Sequence, residues 1–206
     1  LHYVFESPKD KMVYDVSHQT YPHKMLTGRK DAYLYEEHYD DVSGYSNQHE
    51  SEHDFFNVGH TSTSVSLACG LAKARDLIIV VNDNDMSIAE NHGGLYDNLK
   101  LLRETDGKAE CNFFRAMGLD YVYVGNGNDI GALIDAFRSV KDAGKPVVVH
   151  IVTLKGKGYK PAEEDKETWH WHMPFDIKTG KPLMDSDGED YSSVTAEYLL
   201  DKMKKD

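Results

Sequence analysis

This 206-residue sequence has only two cysteines and lacks both an apolar run long enough to cross a bilayer and any surplus of basic residues, and each shortage narrows the classes of function open to it. Cys69 and Cys111 lie far apart and form no C-x-x-C pair, the pattern of a reduced intracellular protein rather than a disulfide framework. Both sit in segments that read as helices, and both are read as small core residues. Without a spanning run, and without a basic region followed by a short apolar stretch near Leu1, there is no basis for a membrane partner or a secretory signal, so the cytoplasm is the expected compartment. Lys and Arg number 23 against 35 Asp and Glu, and the formal charge of −12 offers no broad electrostatic grip on a nucleic acid or an anionic membrane. No repeat or low-complexity tract occurs. What is present is a 40% hydrophobic chain, enough for one main buried domain with an appended piece. The opening "LHYVFESP" reads as amphipathic and starts on Leu1 rather than Met, so a further upstream portion is expected.

Four short runs rich in Val, Ile and Tyr are candidate strands: "MVYDV" (12–16), "IIVV" (78–81), "YVYV" (121–124) and "PVVVHIVT" (146–153). Helical patterns separate them at 62–75, 109–118 and 128–144, the last with Asp129 near its start and Gly144 at its end. Continuously apolar strands alternating with helices predict an α/β fold, a doubly wound and mainly parallel sheet with helices on both faces. Residues 30–57 are polar, acidic and aromatic and read as a solvated surface excursion. The segment "SSVTAEYLLDKMKKD" reads as an amphipathic helix with Ser193 as a possible cap.

Ligands of doubly wound sheets bind beyond the carboxyl ends of the strands, so the residues after each run matter most. His18 follows the first run, three residues past Asp15, and either enters a crevice or is an ordinary loop histidine. In "VGHTSTS", Gly59 permits close backbone approach, while Thr61 and Ser62 can cap a following helix whose free amides favour an anion such as a diphosphate. Small residues before a helix are also common capping chemistry. Asn82, Asp83 and Asn84 follow the second run; a carboxamide and a backbone carbonyl are hard ligands of the kind Mg²⁺ takes, yet the same residues build plain turns, and spacing alone favours the turn. Lys155, Lys157, Gly156 and Gly158 can bring charge and backbone against an anion, with Tyr159 next. His170 and His172 share a face if extended, a weak case for a structural zinc site.

Together and in order, "DVSHQTYPHKMLTGR", "VGHTSTSVS", "VVNDNDMSIAEN" and "KGKGYKPAEEDKETWH" resemble segments of the 1-deoxy-D-xylulose-5-phosphate synthase family, transketolase-like enzymes dependent on thiamine diphosphate. The resemblance runs from Leu1 to about Pro182. It implies that pyruvate and glyceraldehyde 3-phosphate are joined with loss of CO2, a transferase reaction that feeds isoprenoid and thiamine biosynthesis. It also implies a homodimer with small-molecule substrates. Position by position it assigns His18, Gly59, His60 and Thr61 to the cofactor, Asn84 to Mg²⁺ through its side chain and Met86 through its carbonyl. Lys155 and Tyr159 become further cofactor contacts, and His170 a catalytic group facing the substrate. The bound cofactor supplies an electron sink for decarboxylation and carbon–carbon bond formation, so the protein mainly positions groups, shields the site and moves protons.

Two departures stand out against the family. Its Gly-Asp-Gly strand end, which carries a second metal ligand, is nowhere in the sequence, and "AKARDL" runs directly into "IIVVNDND". A segment between Leu77 and Ile78 is therefore expected in the natural polypeptide. The family's upstream Gly-Gly-His and its following pyrimidine-binding domain, which supplies the activating glutamate, are also absent. Residues 1–182 are thus expected to form a diphosphate-binding domain and 183–206 a linker and the first helix of the next, the whole inactive alone. The alternatives are the diphosphate-binding subunit of another transketolase-like enzyme, or a catalytically silent binding module.

Overall fold

The computed structural model of the chain describes residues 1–61, 63–71, 77–183 and 190–205 and forms two compact units, Leu1–Lys155 and Gly156–Asp206, each described by itself. The first unit is built on three parallel strands, β1 (Ile78–Asp83), β2 (Asp120–Val124) and β3 (Val147–Val152), in the order β1-β3-β2. Val147 pairs with Ile78 on one side and Asp120 on the other, so both outer strands are in register with the middle one. Alternation along β3 sends Val147, Val149 and Ile151 to one face and Val148 and His150 to the other.

Each face has its own cover. Helix α5 (Ile130–Val140) packs Phe137 and Val140 on the first, joined by Val4 and Phe5 from the chain start. On the second lie α3 (Gly94–Glu104), through Leu99 and Leu102, and the short α4 (Phe113–Ala116), through Phe114. Asp129 caps α5 by accepting from the Ala132 amide at 2.7 Å, and Asn112 caps α4. The expected α/β architecture with helices on both faces is therefore found. Helix α3 was not foreseen.

Several expectations need correction. Residues 12–16 form no strand, with a bend at 15 and 16, and pair with no strand among the described residues: β propensity reports a backbone suited to a pleat, while a strand also needs a neighbour. Side chains hold this stretch instead, with the Tyr14 ring 5.1 Å from that of His23 and Asp15 bonded to Ser64. The excursion 30–57 is largely exposed, as a surface segment should be, but it is pinned rather than loose. Lys24, wholly buried, donates to Glu50 Oε2 at 2.7 Å, and Arg29 grips Asp54 through Nη1–Oδ2 (2.9 Å) and Nη2–Oδ1 (2.8 Å). Burial pushes the Asp54 carboxyl up, but the bonds from Arg29 and His23 and the Arg29 charge outweigh it and hold it well below the usual carboxylate range. The basic residues of the 21–29 segment, α1 (Tyr21–Lys24) and its continuation, thus pin an acidic segment that carried no helical or strand period. Cys69 and Cys111 are exposed, not core residues.

The second unit holds α6 (Lys160–Glu164), the 3₁₀ turn Thr168–His170 and α7 (Tyr191–Met203). Asp190, not Ser193, caps α7, accepting from the Ser193 amide at 2.7 Å and its hydroxyl at 2.8 Å.

Candidate functional site

The turn that ends β1 is the most constrained polar feature of the first unit. Asp83 is buried, and Arg103 of α3 donates Nη1–H to both its oxygens, at 2.9 and 2.7 Å, while Nη2 reaches Asp85. His150, fully buried in β3, meets Asp83 Oδ2 through Nε2 at 2.9 Å; its Nδ1 lies 2.7 Å from the Tyr121 hydroxyl. Burial alone would raise the Asp83 carboxyl, but hydrogen bonds from His150 and Arg103 and the Arg103 charge hold it at about 2. Burial pushes the Tyr121 phenol above its ordinary range, keeping it a donor. Nε2–H can donate to Asp83 while the Tyr121 hydroxyl bonds to Nδ1.

Beyond that anchor the chain reverses. The Asp85 amide donates to Asp83 Oδ1 at 3.0 Å, Asp85 takes φ 64°, and the Met86 amide donates to Asn84 Oδ1 at 3.1 Å. Met86 and Glu90 oppose each other in an antiparallel bridge flanked by Ser87 N–H to Ala89 O and Asn91 N–H to Asp85 O. That is the non-hydrogen-bonded kind of pair, which directs the Met86 carbonyl away from Glu90, to the side where its amide meets Asn84. Lys155 donates Nζ–H to the carbonyls of Ser87 (2.6 Å) and Ile88 (3.3 Å), so the Asn84–Met86 turn and Lys155 belong to one locus.

A second locus joins the first two motifs. The Ser17 hydroxyl donates to the Gly59 carbonyl at 3.1 Å, and Asp15 Oδ1 accepts from the Ser64 amide (3.1 Å) and hydroxyl (2.7 Å). Asp15 therefore caps α2 (Ser64–Leu71), a role foreseen for Thr61 and Ser62; Ser62 lies outside the described residues. His18, on the 3₁₀ turn Ser17–Thr20, and His60 and Thr61 are all exposed beside this junction. Gly59 serves close approach as expected, but to a side chain: a Cβ there would stand 2.3 Å from the Tyr45 ring.

In the second unit, Gly156 (φ 81°) would place a Cβ 2.6 Å from the Ala162 backbone, so the glycine loop closes on α6. Glu163 accepts from the Gly158 amide at 2.8 Å and lies 3.9 Å from Lys157 Nζ. Tyr159 packs edge-on to Trp169, 5.0 Å between ring centroids, and its buried hydroxyl has no hydrogen-bond partner among the described residues. His170 is exposed. His172 stacks on Trp169 at 4.5 Å, and among the described residues no three His, Cys, Asp or Glu are grouped to hold a metal, which leaves the zinc reading without a ligand set.

The sequence profile of 1-deoxy-D-xylulose-5-phosphate synthase matches residues 1–77, 73–111 and 106–153 in consecutive stretches. The chain belongs to this synthase family. Among curated 1-deoxy-D-xylulose-5-phosphate synthases, that of Listeria monocytogenes is 36% identical over 249 residues, covering all of this chain and 41% of the relative. Those of Wolinella succinogenes (32% over 274 residues) and Anaeromyxobacter sp. (32% over 277) are each matched over 44% of their length. The chain thus spans about two-fifths of the length of the curated relatives it matches. The matched spans exceed 206 residues, so each relative carries residues with no counterpart here.

This is a thiamine diphosphate-dependent family, and the donors present fit the protein's half of a magnesium diphosphate site. Asn84 Oδ1 has a lone pair beyond the one Met86 uses, and it and the Met86 carbonyl are hard neutral oxygens suited to an ion that shares its octahedron with phosphate and water. The nearest carboxylates, Asp83 and Asp85, are committed to Arg103.

Proposed function

We propose that this chain is the diphosphate-binding part of a synthase that condenses pyruvate with glyceraldehyde 3-phosphate, losing CO2, to give 1-deoxy-D-xylulose 5-phosphate. The reading is carried by the Asn84–Met86 turn, which lies at the carboxyl end of a parallel strand with the Lys155 ammonium bonded to the same loop. Asn84 Oδ1 and the Met86 carbonyl would hold Mg²⁺, and Lys155 would lend positive charge to the diphosphate. By the family resemblance, His18, Gly59, His60, Thr61 and Tyr159 would be contacts of the cofactor. His170 would face the substrate and pass or position a proton near neutral pH. The protein would act as a cytoplasmic homodimer on small molecules, with residues 1–182 as diphosphate-binding domain and 183–206 leading to the next; the linker residues 184–189 lie outside those described.

Calorimetry on the full chain tests the reading. Thiamine diphosphate should bind only with Mg²⁺, Asn84→Ala should weaken that binding at least tenfold (on the order of one lost metal ligand), and the chain alone should give no turnover. Metal-independent binding, or binding indifferent to Asn84→Ala, would overturn it. The missing Gly-Asp-Gly favours one other reading, a silent binding module, for which no thiamine diphosphate uptake is expected.

A further inference from the structure

We propose that Arg103, a residue of α3 remote in sequence from every motif above, is a positioning residue that sets the Asn84–Met86 turn for its metal ion. The inference rests on the reading of that turn as half of a magnesium site. Three hydrogen bonds carry it: Arg103 Nη1 to both oxygens of Asp83 at 2.9 and 2.7 Å, and Nη2 to Asp85. The two carboxylates flank Asn84 directly, so one planar guanidinium clamps the residue before it and the residue after it.

The clamp matters because of what it holds. Asp85 stands at φ 64°, the left-handed region that a non-glycine residue occupies only when its surroundings demand it. That dihedral fixes the direction of Met86 relative to Asn84, and so whether carboxamide and carbonyl converge on one point. The Asp83 end is immobile, since His150 also grips it inside the sheet; the Asp85 side chain, 55% exposed, is anchored by Arg103 and would lose that charged anchor without it. Arg103 also offsets one of the two negative charges. Released, two carboxylates either side of Asn84 would attract a divalent cation by themselves, away from the position a diphosphate requires.

Electron paramagnetic resonance of Mn²⁺ titrated into the full chain separates the possibilities, with unfolding midpoints measured in parallel. Wild type should take up Mn²⁺ with thiamine diphosphate and hardly at all without it. Arg103→Gln should weaken uptake with thiamine diphosphate about tenfold, the usual scale for a residue that orients metal ligands, and should gain weak uptake in its absence. A loss of folding alone would not produce that gain. Arg103→Lys, which keeps the charge but not the fork, should recover part of the affinity, and it decides the matter if Arg103→Gln does not fold. Variant affinity equal to wild type, in whichever variant folds, overturns the role of Arg103 while leaving the metal site standing. Absence of diphosphate-dependent uptake in wild type overturns both.

Discussion

A histidine in the middle of a run of valines must find polar partners or unfold the strand, and His150 finds two. With no exposed surface, it bonds through Nε2 to Asp83 and through Nδ1 to Tyr121, so three strands meet in one polar contact inside an otherwise apolar face. Because Asp83 is held at about 2 in the folded state against about 3.9 unfolded, its ionised form stabilises the fold above the unfolded value. That contribution is lost as the pH falls from about 4 toward 2. Urea midpoints across this range should therefore drop more steeply in wild type than in Asp83→Asn, although the variant is less stable at neutral pH because Arg103 loses the buried one of its two charged partners. Equal slopes would show that Asp83 is not the source. The histidine within "VVVHIV" was a visible sign of such a contact, since a continuously buried strand leaves it no route to water. Its partners were not visible: Arg103 lies 20 residues from Asp83, on a helix whose register only the packed structure fixes.

Among elements, period and composition located what the core decides and missed what charge decides. Strands β1, β2 and β3 and helix α5 were legible because their apolar residues face one another across the sheet. The excursion 30–57 has no such period, and its order comes from Lys24, Arg29 and His23 meeting Glu50 and Asp54. A pattern of polar residues cannot say whether opposite charges 20 or more positions away will close on it. At the candidate site the same division holds. The motifs located the segments, and the loops do join in two loci, but Asp15 as the cap of α2 and the clamp on Asp85 depend on tertiary contact. The charged cluster is also where one substitution should cost most. Asp54→Ala leaves the Arg29 fork and a buried His23 without their carboxylate, and removal of one partner from a buried pair costs about 3–5 kcal/mol. Chemical denaturation should show a loss of that order, whereas Asp41→Ala, which removes an exposed carboxylate paired with the partly exposed His38, should change the midpoint little. Comparable small losses in both would mean that the excursion is held by something other than its ion pairs.

At the scale of the whole chain, the sheet order places β1 at an edge, and among the described residues no strand pairs with its outer side. The edge is apolar, with Val80 40% exposed, and α2, "SVSLACGL", carries no charged residue yet leaves Val65 50% exposed. An uncharged, mostly apolar helix belongs against covering chain, and a bare apolar edge strand invites aggregation, so both features call for cover. They flank the same place in the sequence: α2 precedes and β1 follows the join at Leu77 and Ile78, although residues 72–76 lie outside those described. The family profile also breaks between its first two stretches at 73–77, and the relatives carry residues unmatched here. These observations support a further segment at that join in the natural polypeptide. Tryptic mapping of the natural protein decides it, because cleavage after Arg75 and Lys100 of a continuous chain must release "DLIIVVNDNDMSIAENHGGLYDNLK" intact. That peptide should be missing, replaced by fragments that end in "IIVVNDND…" but begin with residues other than Asp76 and Leu77. Its recovery in good yield would mean that β1 keeps an open edge, and that the apolar surface of α2 must be covered by another molecule.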